Sequence, residues 1–254
     1  MPGTGAHAVA SSPSGTGGLP DVPPTLRLSR LSPAQRALFP RLSFLRSGFV
    51  LYGGTAVALQ TGHRDSEDFD FFSSEALPEV AKRSLAAEFA DHPLEVLQDT
   101  GDTLTLDVGF ADAVVRLSFF GRIGVPRLDL PCAAATGPRV ASRLALAGFK
   151  LAMAYQRHEE NDVADVAALL ESGTTLAEAV GAMRRIYGDQ APVGAAVAAL
   201  AWFEGRTPSP QGALSEARRV SIERAVAGWR GEVPELPVED PDLSAPGFRE
   251  ALTE

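Results

Sequence analysis

Two short apolar runs with a double glycine between them limit what this chain can fold into. Gly48–Tyr52 (GFVLY) reads as a buried strand, Gly53-Gly54 follows at once, and Thr55 to about Gln60 has the composition of a short helix capped by Thr55. Asp68–Phe72 (DFDFF) then alternates polar and apolar residues as a strand does. A strand, a glycine turn, a helix and a second strand in so short a stretch belong to an α/β unit.

The neighbouring segments extend that unit. Ser32-Pro33 opens a helix, with Ser32 as N-cap and Pro33 at the first helical position, and Pro40 ends or kinks it. Leu77 to about Asp91 has helical spacing. Leu94–Gln98, Thr103–Val108 and Val114–Phe120 read as strands, the last two joined by a turn over Gly109–Asp112. From about Val140 the character changes: Val140–Gln156, Val163–Glu171, Leu176–Ile186, Val193–Phe203 and Leu214–Gly228 all carry helical periodicity. The expected organisation is a tail over 1–28, an α/β core over 29–138, a helical domain over 139–231 and an acidic, Pro-rich tail over 232–254. The first tail is rich in Gly, Pro, Ser and Thr and cannot bury enough apolar surface to offset its ordering entropy, so disorder is expected there.

Composition removes several function classes. The 254 residues are 45% hydrophobic and 22% charged, enough for a real core. A net charge of -9 excludes a globally basic nucleic-acid surface, though not a local basic patch. The lone Cys132 permits neither an internal disulfide nor a cysteine zinc site. No apolar run reaches membrane-spanning length, and the N-terminal residues lack the pattern of a secretory signal. A reducing, cytoplasmic setting is expected.

The chemistry concentrates between Gly53 and Asp70. Residues two apart on a strand share a face, so Asp68 and Asp70 point the same way while Phe69 and Phe71 point into the core. Two carboxylates held that close repel unless a cation sits between them. Magnesium suits the position, since it takes hard oxygen ligands and commonly one or two carboxylates plus substrate phosphates. Gly53 and Gly54, at the start of a helix, offer backbone N–H groups to a phosphate with no side chain in the way. Thr55 can cap the helix or donate to that phosphate, and Arg64 and Ser66 add donors. The plainer alternative is a tight turn followed by a strand with a solvated acidic face.

GGTAVALQTGHRDSEDFDFF resembles the first motif of the AbiEii/AbiGii toxin family of nucleotidyltransferases, within the DNA polymerase beta-like superfamily. VRLSFFGRIG resembles the strand that follows the acidic strand there, and FKLAMAYQRHEENDVADVAALL resembles the second and third motifs. The resemblance covers roughly residues 45 to 172. It implies an α+β fold, with a polymerase-beta-like nucleotidyltransferase core and a small mixed sheet followed by a C-terminal helical domain. It implies transfer of a nucleotide from a nucleoside triphosphate, with magnesium or manganese on Asp68 and Asp70, to an acceptor that can be tRNA. It also implies a toxin of a toxin–antitoxin or phage-defence pair, with a cognate antitoxin. Lys150, Arg157, Asp162 and Asp165 match the later motifs. They imply nucleotide contact and catalysis by Lys150, with Arg157, Asp162 and Asp165 in support.

From spacing alone, Lys150 and Arg157 fall near one helix face and could equally be a solvated face with snorkelling stems. Asn161 or Asp162 can cap the next helix, and Asp165 lies one turn on. His63, beside the motif, is expected to be structural or on the surface.

Two departures stand out. Polymerase-beta-like enzymes usually draw a third carboxylate from a later central strand. Here Val114–Phe120 has none, its polar face carrying Arg116 and Ser118, with Asp107, Asp112 and Asp129 merely near in sequence. The approach to Asp162, His158-Glu159-Glu160-Asn161, is acidic where relatives are often basic. The rival expectation is therefore a catalytically impaired nucleotide-binding or partner-binding protein of the same fold.

Overall fold

The computed structural model describes residues 26–110, 113–124, 128, 131–133, 135–203 and 214–236. The chain opens with α1 (Pro33–Leu38), started by a capping box in which Ser32 and Gln35 satisfy each other's backbone N–H groups. Beyond Leu38 the helix tightens into a 3-10 segment, Phe39–Ser47, with Pro40 near its start. Then follow β1 (Val50–Tyr52), α2 (Gly53–Thr61), β2 (Asp68–Phe72), α3 (Glu79–Ala87), β3 (Leu94–Thr100), β4 (Thr103–Phe110) and β5 (Ala113–Phe120). Two-residue strands β6 (Cys132–Ala133) and β7 (Arg139–Val140) precede α4 (Arg143–Arg157), α5 (Glu160–Glu171), α6 (Leu176–Tyr187), α7 (Val193–Leu200) and α8 (Glu216–Gly228).

The strands form one mixed sheet in the order β3-β4-β5-β2-β1-β7-β6. β2 lies at its centre, antiparallel to β1 and parallel to β5. The β4–β5 hairpin pairs as far as Phe110 opposite Ala113, while Ala111 and Asp112 of the expected turn lie outside the described residues. The short β6 and β7, absent from the sequence expectations, extend the β1 edge.

Alternation along β2 separates its two faces. Phe69 and Phe71 are fully buried. Phe69 packs on Phe39, and Phe71 stacks on Phe119 with ring centres 5.4 Å apart. Burying each ring contributes about 1.5–3 kcal/mol, so a one-residue slip that turned them outward is strongly disfavoured. The register that buries these rings is also what aims Asp68 and Asp70 at the opposite face.

α2 is buried almost all round, as a helix between layers must be. It begins at Gly53 with Tyr52 in the cap position and no side-chain cap, so the expected Thr55 cap is corrected: Thr55 lies inside the first turn. α4 packs against α2 on one side and against α5, α6 and α7 on the others. One apolar cluster runs from Leu31 through both halves to Ile222.

At the ends, Leu26 and Leu28 pack against that cluster and the Arg27 N–H donates to the Leu59 carbonyl. Residues 1–25 and 237–254 lie outside the described residues. Among the described residues no helix is long and apolar enough to cross a membrane.

Candidate functional site

The β1–β2 ladder sets the geometry. Tyr52 is the ladder partner of Asp70, so Gly53, the next residue, arrives beside that carboxylate. Gly53 has φ +71°, a left-handed conformation that glycine adopts without strain, and a Cβ there would collide with the Asp70 carboxylate. At Gly54 a Cβ would crowd the Arg64 guanidinium and the Ser66 hydroxyl. Turn and acids thus face one solvent-open cleft of about 650 Å³, lined among others by Gly53, Gly54, Arg64, Ser66, Asp68 and Asp70.

Lys150, Arg157 and Asp162 line the same cleft from the helical half. Lys150 is not on a solvated face. It is 5% exposed, and its ammonium contacts Asp162 and Asp165, each at 2.8 Å. Burial works against its charge, but Asp165 and Asp162 outweigh that and raise its pKa. Arg157, in the last turn of α4, is exposed.

Asp165 is the hub behind this wall. Its fully buried carboxylate accepts from His63 Nε2 at 2.7 Å and from Arg64 Nε and Nη2 at 2.7 and 3.0 Å, besides the Lys150 pair. Burial alone would raise its pKa; the His63 hydrogen bond and the Lys150 and Arg64 charges overcome that and hold it well below the usual carboxylate range. His63 has a buried side chain, and burial lowers its pKa against the pull of Asp165. It braces Asp165 and does not line the cleft. The capping expectation for Asn161 or Asp162 is also corrected: Glu159 holds the cap position of α5, and Asp162 spends its carboxylate on Lys150.

The two carboxylates of the acidic pair are poorly compensated. Among the described residues no side chain donates a hydrogen bond to the carboxylate of Asp68 or Asp70; the Thr55 hydroxyl reaches only the Asp68 carbonyl. Burial first, then the Asp68 charge, pushes the Asp70 pKa up to about 6 against Lys150 and Arg157. Asp68 is also raised, by burial first, with Arg116 opposing.

No three-residue cluster of metal-ligating side chains occurs among the described residues. Two carboxylates without other partners suit a divalent cation whose remaining ligands come from substrate phosphates and water. The register explains the missing third acid: Ser118 is the β5 partner of Asp70, and Arg116 the partner of Asp68. Arg116 is itself held by Asp107 through two hydrogen bonds, at 2.8 and 2.9 Å. Asp112 and Asp129 lie outside the described residues.

Two placements escaped sequence reasoning. The Thr55 hydroxyl, buried, donates to the Asp68 carbonyl and ties α2 to β2. Gln35, 2% exposed, donates from Nε2 to the carbonyls of both Ser66 and Glu67 at 2.9 Å, while its Oε1 accepts from the Ser32 N–H. The cap was legible; the grip on the loop before β2 had no local signal, since its partners lie more than thirty residues away.

A family model described as "Nucleotidyl transferase AbiEii toxin, Type IV TA system" matches residues 36–254. The chain belongs to this family. No curated protein matches it.

Among solved structures, JHP933 from Helicobacter pylori is similar at 16% identity and a TM-score of 0.51, over 78% of this chain and 92% of that one. A putative nucleotidyltransferase from H. pylori gives 16% identity and 0.48, over 76% and 90%. MenT4, a nucleotidyltransferase toxin from Mycobacterium tuberculosis, gives 17% and 0.37, over 75% and 90%. The JHP933 likeness shows a shared fold, and the AbiEii match makes this a nucleotidyltransferase-toxin chain with an α+β fold.

Proposed function

We propose that this AbiEii chain transfers a nucleotidyl group from a nucleoside triphosphate to an acceptor hydroxyl, with tRNA as the acceptor class. In this reading it is the toxin of a pair, restrained by a cognate antitoxin. One observation carries the proposal: the Gly53-Gly54 turn and the Asp70 carboxylate adjoin in a single cleft.

The roles follow from the chemistry at each position. The turn at the start of α2 would receive the triphosphate through backbone N–H groups, helped by the positive helix end. Arg64, fixed by Asp165, and Ser66 would add donors beside Gly54. Lys150 keeps its charge, held from behind by Asp162 and Asp165, and with Arg157 would neutralise phosphate as pyrophosphate departs. Asp68 and Asp70 would hold a divalent cation, which supplies Lewis-acid polarisation of the phosphate under attack. Thr55 serves the site through the Asp68 backbone rather than by touching phosphate.

The rival reading, nucleotide or partner binding without turnover, draws on one observation: Ser118 stands where a third carboxylate would flank Asp70. Incubation with each α-labelled nucleoside triphosphate, magnesium and total RNA separates the two. Label transfer that disappears in Asp70→Ala is the expected result. Triphosphate binding with no transfer to any RNA overturns the enzymatic reading in favour of the rival.

A further inference from the structure

We propose that the apolar corner of the cleft seats the nucleobase and accepts all four bases nearly equally. The inference rests on the nucleotidyl-transfer reading and adds the part of the substrate that the phosphate end leaves untouched.

Five side chains form the corner. From the sheet come Phe72, on the face of β2 that carries Asp70, and its β5 partner Phe120, with Ile123 from the loop after β5. From α4 come Phe149, next to Lys150, and Met153 one turn on. The Phe72 ring meets Phe149 edge-on at 5.3 Å between centres and Phe120 at 5.4 Å, while Tyr52 stacks behind it at 4.9 Å. The chain buries Phe39, Phe49, Phe69, Phe71, Phe89 and Phe119 completely; Phe72, Phe120 and Phe149 are partly exposed and gather here, while the partly exposed Phe44 and Phe110 sit elsewhere, against Phe89 and His92. Uncovered apolar surface costs about 25 cal/mol per Å², so a ligand that covers these rings is favoured.

The occupant follows from what lies beside the corner. A nucleoside triphosphate anchored by its phosphates at Gly53 and Asp70 carries its base one sugar away. Phe72 lies two strand residues past Asp70, about 7 Å, a distance that a ribose spans. Every base presents a π-face, so stacking holds any of them. None of the five side chains offers a strong hydrogen-bond donor or acceptor. A site that hydrogen-bonds a substrate group rejects the analogue lacking it by large factors, and an apolar pocket does not.

The test is calorimetry on the full chain with magnesium. The probes are α,β-methylene triphosphate analogues of the four nucleosides, with inorganic tripolyphosphate as the base-free control. The four analogues are expected to bind within about 10-fold of one another. Phe149→Ala is expected to weaken all four by about 5- to 50-fold, leaving tripolyphosphate unchanged. Phe149→Leu keeps the packing against Phe72 but loses the stacking face, and carries the test should the alanine variant fail to fold.

One base preferred by more than about 100-fold overturns the inference. So does unchanged analogue affinity in both variants, including the case where only acceptor RNA binding weakens. Binding of neither tripolyphosphate nor any analogue would remove the nucleotidyl-transfer reading and this inference together.

Discussion

The Asp70 carboxylate fills the space that a side chain at Gly53 would need. Gly53→Ala therefore meets two penalties at once, a left-handed backbone and a displaced Asp70 carboxylate. The backbone term costs about 1–2 kcal/mol, which lowers the melting temperature without abolishing folding. Nucleotidyl transfer is expected to fall by more than about 100-fold, because small misplacements of reacting groups cost that much. Paired melting and label-transfer measurements check it, and full activity in a folded Gly53→Ala protein would refute it.

Asp70 also sets a pH dependence. Its pKa is raised to about 6, so the folded state favours the protonated acid, and this group's contribution to stability falls as the pH rises from the ordinary carboxylate range through 6. Asp70→Asn removes that penalty and is expected to stabilise the protein by about 1–2 kcal/mol at pH 8, read by chemical denaturation. Divalent metal needs the ionised form. Magnesium or manganese binding should therefore release protons near pH 5.5 and almost none at pH 8. The buffer dependence of the binding enthalpy measures this.

Removing the hub of the buried charge network should be costly. Asp165→Ala leaves Lys150 and His63 buried with a partner lost, which destabilises by about 3–5 kcal/mol. It also frees Arg64 from its bidentate anchor beside Gly54. Triphosphate affinity is expected to drop by at least about 10-fold in whatever fraction remains folded. Denaturation curves and analogue binding, compared with wild type, decide it.

Gln35 offers a cleaner lever, since one atom can be changed. Gln35→Glu keeps the Oε1 that caps α1 and turns the donor facing Ser66 and Glu67 into an acceptor. Two carbonyls then confront a carboxylate, and the loop carrying Arg64 and Ser66 shifts. The expected signature is a rise in KM for the triphosphate of about 5-fold or more, with α1 still formed by circular dichroism. Gln35→Met, which loses both the cap and the grip but adds no buried charge, should cost less stability than Gln35→Glu.

Elements with a local signature could be read directly. DFDFF announces β2 because its apolar residues alternate with acids, and SPAQ announces a capped helix start. The acids facing the glycine turn was also legible, since a strand pair joined by a short buried helix brings them together. What escaped depends on distant partners. Thr55 met Asp68 and Gln35 met Ser66 only once the chain had folded. Phe72 and Phe149 share a corner across a long stretch of sequence, so neither stood out from the core phenylalanines. β6 and β7 are too short for any periodicity.

The apolar cluster passes without interruption from Phe71 in β2 through Leu59 in α2 to Leu151 in α4 and Val166 in α5. Strand and helix cannot melt separately when they share one interior. Heat should dismantle the molecule in a single cooperative step, and the acid-bearing strand will lose its order together with the lysine-bearing helix.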